Sequence, residues 1–161
     1  MVGESLDRYL PALVILLAGA LFYLVHWNSG PVVLSPERAS WTLTPGAVNP
    51  DVTQDTIDST ICVTGWASSI RPDSSYTADL KLTQMREYGR TGSPSDYQED
   101  HLVSLELGGD PTDPRNLWPE PISRAEEVDH AENDLNSAIC SGRMTLAAAQ
   151  RKISEIKHVA G

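Results

Sequence analysis

The sequence predicts an α+β domain of modest size behind one N-terminal membrane helix. Three observations predict this. The run from Leu10 to Val25 contains no charged residue and is long enough to approach a bilayer span. Short segments at Thr60–Trp66, before the Asp100-His101 pair and around Leu117 read as strands. Stretches at 73–88, from Ser123 to about Ile139 and after Thr145 carry apolar residues at helical spacing.

A chain of 161 residues accommodates one ordinary domain plus a small extra element. The net charge of -10 argues against broad, sequence-independent binding of nucleic acid, which depends on Lys and Arg neutralising phosphates. A divalent ion among carboxylates would partly answer that objection, because the ion is itself the largest local charge.

Residues 1–9 are polar. Tyr9 and Trp27 bracket the apolar run as interfacial aromatics do, and a helix between them would be roughly 28 Å long at 1.5 Å per residue. Pro11 falls in the first turn, where its missing N–H costs little. No polar face recurs at helical period, which argues against a core helix. Ala18-Gly19-Ala20 has the form of a signal cleavage site, so secretion after cleavage is the alternative. A cut there would leave an apolar new N-terminus, and the preceding segment has no net positive side-chain charge. The expected organisation is a cytoplasmic N-terminus at 1–9, a transmembrane anchor at 10–27, a proline-punctuated linker at 28–50 and an extracytoplasmic domain at 51–161.

Within that domain, Thr60–Trp66 is the first expected strand, with Trp66 in the core. The helix at 73–88 takes Ser74 or Ser75 as its cap and Gly89 as its left-handed terminator. Arg71, Lys81, Arg86 and Arg90 make this region basic; a solvated face is the default reading, and phosphate contact the sharper one. Pro119 and Pro121 are expected to end the strand around Leu117. Ser123 and Glu126 match a capping box for the next helix, whose apolar stripe includes Val128, Ala131, Leu135 and Ala138. Gly142 ends its exit, and Thr145 caps a last helix bearing Leu146, Ala149, Ile153 and Ile156.

One stretch organises the chemistry. Glu99-Asp100-His101 is followed by Gly108-Gly109 and then by Asn116-Leu117-Trp118-Pro119-Glu120-Pro121 and a helix. In order and spacing this resembles the core of the HNH (His-Me finger) nucleases, a ββα-metal unit, over about residues 97–135. The Asn-Leu-Trp-Pro-Glu-Pro run, with Thr44-Pro45-Gly46, Ile61–Trp66 and Ile139–Gly142, further resembles small secreted or membrane-anchored bacterial domains of this type.

The resemblance implies a ββα-metal fold with additional helices and an endonuclease that hydrolyses phosphodiester bonds, with DNA favoured over RNA as substrate. It implies that Asp100 binds a divalent metal, that His101 is the general base and that Asn116 holds the His ring by a hydrogen bond. Imidazole suits proton abstraction near neutral pH, and a carboxylate suits magnesium, with manganese or zinc as alternatives. No organic cofactor is expected. The later metal ligand falls among Glu126, Glu127, Asp129 and His130; Asp129 is favoured, with His130 next. Adjacent residues point about 100° apart on a helix, so at most one of that pair faces a metal. Ser104 stands where many HNH domains have Pro, and Ser takes up the same backbone angles. The alternative is a non-catalytic binding or structural domain on the same scaffold. No Cys-x-x-Cys pair exists for a structural zinc. The only cysteines, Cys62 and Cys140, read as one disulfide outside the cytoplasm, or as two buried thiols inside it.

Overall fold

The computed structural model describes residues 37–159. The expected N-terminus, the anchor at 10–27 and the first part of the linker lie outside the described residues. Among the described residues no helix is long and apolar enough to cross a membrane.

The described part is α+β. Its helices are α1 (Trp66–Ser69), α2 (Ser74–Glu87), α3 (Ile122–Cys140) and α4 (Leu146–Val159), with one antiparallel ribbon of β1 (Tyr97–His101) and β2 (Leu117–Pro121) between α2 and α3. The ribbon pairs His101 with Leu117, Asp100 with Trp118 and Glu99 with Pro119. β2 runs directly into α3, which completes a ββα unit.

Several local expectations are corrected. Thr60–Trp66 is not a strand. Its donors are used locally: Cys62 N–H bonds to the Ile57 carbonyl at 3.0 Å, Val63 N–H to Thr60 at 2.8 Å, and the Thr60 hydroxyl to Thr56 at 2.7 Å. These turn bonds outcompete a β preference that has no partner strand. Trp66 instead opens α1 and packs, partly buried, against the main core. The cap of α2 is Asp73, whose carboxylate accepts from Ser75 N–H at 2.7 Å, and Gly89 has the expected left-handed backbone. α3 starts at Ile122 behind Pro121 with no side-chain cap, so Ser123 lies inside the helix. Because no loop separates β2 from α3, the last strand residue also serves as the helix boundary. Pro119 and Pro121 lie within β2; at alternate positions their missing N–H groups fall on one edge, and a two-stranded ribbon leaves each strand a free edge.

The linker also ends earlier than expected. Ala39 and Thr44 are buried, Thr44 Oγ1 donates to the Leu117 carbonyl at 3.2 Å, and Val48 bridges Gly109. Tyr88 then ties this segment to α2 by donating to Thr44 Oγ1 at 2.7 Å.

The main core joins α3 to α4. Ala125, Val128, Leu135 and Ile139 on α3 share one face, with Glu132 filling the step between Val128 and Leu135, and Leu146, Ala149 and Ile153 on α4 recur every three or four residues. Val52, Ile61, Val103 and Leu107 close it. A second cluster holds Ala39, Tyr88, Leu102 and Trp118. Thr145 Oγ1 caps α4 at Ala148 N–H, 3.3 Å away, and Gln54 Oε1 accepts from Leu146 N–H at 2.8 Å.

Cys62 and Cys140 form a disulfide across a sequence separation of 78 residues. In the chain-entropy description, closing a loop of that length stabilises the fold by about 4 kcal/mol. Urea unfolding followed with and without reductant should therefore show a lower midpoint for the reduced protein, and Cys62→Ser/Cys140→Ser should match it. Equal midpoints would remove the bridge as a stabilising element.

Candidate functional site

The site is built on the connection from β1 to β2. Asn116, at the end of a 3-10 turn (Pro114–Asn116), is fully buried. Its Oδ1 accepts from Val103 N–H at 2.9 Å, and its Nδ2 donates to the Val103 carbonyl at 3.0 Å and the Asp110 carbonyl at 2.9 Å. One side chain thus closes the loop from both ends. Gly109 passes so close that a Cβ there would lie 1.8 Å from the Val103 oxygen and 2.7 Å from Asn116 Nδ2. Gly108 takes a left-handed backbone at φ 79°, and Asp110 Oδ1 gathers the N–H groups of Thr112 and Asp113. Ser104 has φ -62° and ψ 156°, angles that proline also adopts, so its backbone keeps the shape expected there.

The loop positions His101. Its ring Nε2 lies 3.0 Å from the Pro111 carbonyl. A carbonyl oxygen only accepts, so Nε2 carries the proton and the neutral ring has its lone pair on Nδ1. Among the described residues Nδ1 has no hydrogen-bond partner. Burial lowers the pKa of His101; nearby Arg71 and Lys157 act in the same direction, and the Pro111 bond and Asp100 oppose them. The ring is therefore a neutral base at pH 7. Asn116 does not hold the ring, as the resemblance implied; it holds the loop whose carbonyl holds the ring.

Asp100 points away from His101, as neighbours on a strand do. Its Oδ2 accepts from Lys157 Nζ in a short charge-assisted contact, and Nζ also donates to the His101 carbonyl. Glu132 Oε1 lies 2.7 Å from the same nitrogen. Lys157 is 0% exposed, and the Asp100 and Glu132 side chains are 17% and 11% exposed. Glu120, fully buried on β2, takes a bond from Gln98 Nε2 on one oxygen and has no hydrogen bond on the other. Burial alone would lower the lysine pKa, but Asp100, Glu132 and Glu120 together raise it, so the ammonium stays charged. One ammonium does not balance three carboxylates. Burial and the charge of Asp100 accordingly raise the pKa of both Glu120 and Glu132. On the neighbouring strand position, Glu99 is pushed up to about 8 by burial and by Asp100, and both its oxygens lack a hydrogen bond.

Around His101 the electrostatic neighbours are Arg71, exposed just before α2, and through Arg71 the half-buried Glu106, whose pKa is raised by burial and by Asp129. Asp129 and His130 are both exposed, and Asp129 lies one turn before Glu132 on α3. Among the described residues, no group of three or more His, Cys, Asp or Glu side chains is arranged to hold a metal ion. Asp100, Asp129 and His130 thus do not form the expected ligand set. Carboxylates are suitable donors for a hard cation, but those around Asp100 already surround an ammonium, so the residues present do not fit a metal at this position.

Comparison of the chain with protein-family models, with curated proteins and with solved structures finds no match. The likeness to HNH nucleases therefore rests on the motif residues themselves.

Sequence reasoning missed Glu132, Lys157 and Pro111. The first two left a trace. Glu132 interrupts an otherwise apolar α3 stripe, and Lys157 follows Ile153 by four residues on the buried face of α4. Two opposite charges at core positions of successive helices signal a buried pair. Pro111 acts through its carbonyl, which no side-chain pattern marks.

Gly109→Ala should destabilise the domain by about 1–3 kcal/mol through overpacking against backbone. Asn116→Ala should cost at least as much, since it strands buried groups at about 1–3 kcal/mol each. Thermal unfolding of both variants tests this; wild-type stability in either would show that the loop is not clamped as described.

Proposed function

We propose that the domain is a nucleic-acid phosphodiesterase of the HNH type, held in the cell envelope through residues 10–27, with His101 as its general base. The observation that carries this reading is the pinned, neutral imidazole. Nε2 is committed to Pro111, Nδ1 is left as the acceptor, and Arg71 lies nearby. In the proposed reaction, water loses a proton to Nδ1 while its oxygen attacks phosphorus. Arg71 meets the charge developing on the phosphate. The departing oxygen takes its proton from solvent water. The disulfide supports an oxidising compartment for the domain. DNA is the favoured substrate on the resemblance alone. The metal dependence that the resemblance implies has no support in the donor set around Asp100.

One observation favours the second reading, a non-catalytic scaffold: Asp100 is bound internally by Lys157. Cleavage of plasmid DNA and of RNA by the full chain separates the two, assayed with magnesium, manganese, zinc or chelator. On the enzymatic reading His101→Ala lowers the rate by about 10²–10⁴-fold with circular dichroism unchanged. Equal rates in wild type and His101→Ala would remove His101 as the base, and a wild type inactive in every condition would favour the scaffold.

The pH profile has a defined sign. A base whose pKa is lowered is fully available at pH 7 and is lost only as pH falls through that lowered value. The rate should therefore be flat near neutrality and decline at a midpoint below the ordinary histidine pKa of about 6.5. A midpoint above that value would assign the titration to another group.

A further inference from the structure

We infer that Lys157 is the resident cation of this site: its ammonium, set among Asp100, Glu132 and the His101 carbonyl, occupies the carboxylate to which the HNH resemblance assigns a divalent metal, and the chain binds no metal at Asp100. The geometry excludes sharing. A hard divalent ion takes carboxylate oxygens at roughly 2.0–2.6 Å. Nζ already lies 2.7 Å from Glu132 Oε1 and closer to Asp100 Oδ2. An ion on the same oxygens would stand within a few ångströms of a fixed positive charge, in a buried setting where repulsion is only partly screened.

Nor does the ammonium have a way out. The side chain is fully buried, and its backbone is fixed from two sides. Arg124 donates to the Ile156 carbonyl at 2.6 Å and to the Lys157 carbonyl at 3.4 Å, and Ala39 N–H bonds to the Lys157 carbonyl at 3.2 Å. Those bonds occupy carbonyls at the end of α4 and hold its last turn against α3 and the segment at Ala39. The chain has thus built into α4 a charge that a metal would otherwise bring from solution.

The inference concerns what fills the site, not whether His101 acts as a base, so its test reads binding rather than cleavage. Mn²⁺ is titrated into the full chain at neutral pH and the free ion is followed by its paramagnetic resonance signal. The chains compared are wild type, Asp100→Asn, Lys157→Gln and the double variant. Wild type and Asp100→Asn should take up Mn²⁺ alike. Lys157→Gln should gain a site about ten-fold or more tighter, lost again in the double variant. Wild type binding Mn²⁺ about ten-fold more tightly than Asp100→Asn would overturn the inference. So would a folded Lys157→Gln that gains no site. Should Lys157→Gln fail to fold, the comparison of wild type with Asp100→Asn decides the question, and Glu132→Gln serves in place of an unfolded Asp100→Asn.

Discussion

A single buried ammonium ties the domain together at its functional end. Lys157 comes from α4, Asp100 and the His101 carbonyl from β1, and Glu132 from α3. Three elements distant in sequence therefore meet on one nitrogen. Desolvating such charges is costly, and their mutual attraction compensates only when the geometry is good and remaining polar groups are satisfied. Here the lysine donates to two acceptors and pairs with Glu132, while the acids are in excess and their pKa values are raised. Removing the lysine alone would leave buried carboxylates facing one another, a loss of about 3–5 kcal/mol by the general behaviour of broken buried pairs. The arrangement specifies where α4 sits more than it adds net stability, since apolar residues of equal volume pack an interior at least as well.

The placement of the His101 ring depends on a second, separate device. Asn116 and Gly109 close the loop between the strands, and that closure places the Pro111 carbonyl over the His101 ring. Because consecutive strand residues point to opposite faces, the two side chains serve different surroundings, although Lys157 also bonds the His101 carbonyl. Asp100 serves the interior and the lysine; His101 serves the loop side and Arg71. The Asp-His pair is thus the junction between a buried ion cluster and the imidazole fixed by Pro111, and adjacency in sequence does not make the two residues partners.

A covalent link supports the main apolar core. The disulfide joins the turn after Ile61 to the last residue of α3, beside Ile139 and Leu135. It fixes a segment that has β-branched composition but no strand to pair with. Small domains gain most from such links where their own core is limited. Here the two apolar clusters are modest, and the exposed Trp41, which stacks on the His158 ring at 3.6 Å between centroids, lies outside both.

The sequence by itself determined the three longer helices, the cysteine pair and the motif order. These depend on local signals: apolar residues every three or four positions, Gly89 and Gly142 as terminators, and Asp100-His101, Gly108-Gly109 and Asn116 in one stretch. It also marked the Asp-His pair and Asn116, though Asn116 bonds Val103 and Asp110 rather than the His101 ring. Only the tertiary structure decided what Asp100 is bonded to, because its partner lies 57 positions away on another helix. It likewise decided that Thr60–Trp66 turns rather than pairs, since strand identity requires a neighbour that composition does not supply. The choice between a metal and a lysine at Asp100 belongs to the same class. Local pattern reports which groups a chain carries; the electrostatic role of each is set by what the fold buries beside it.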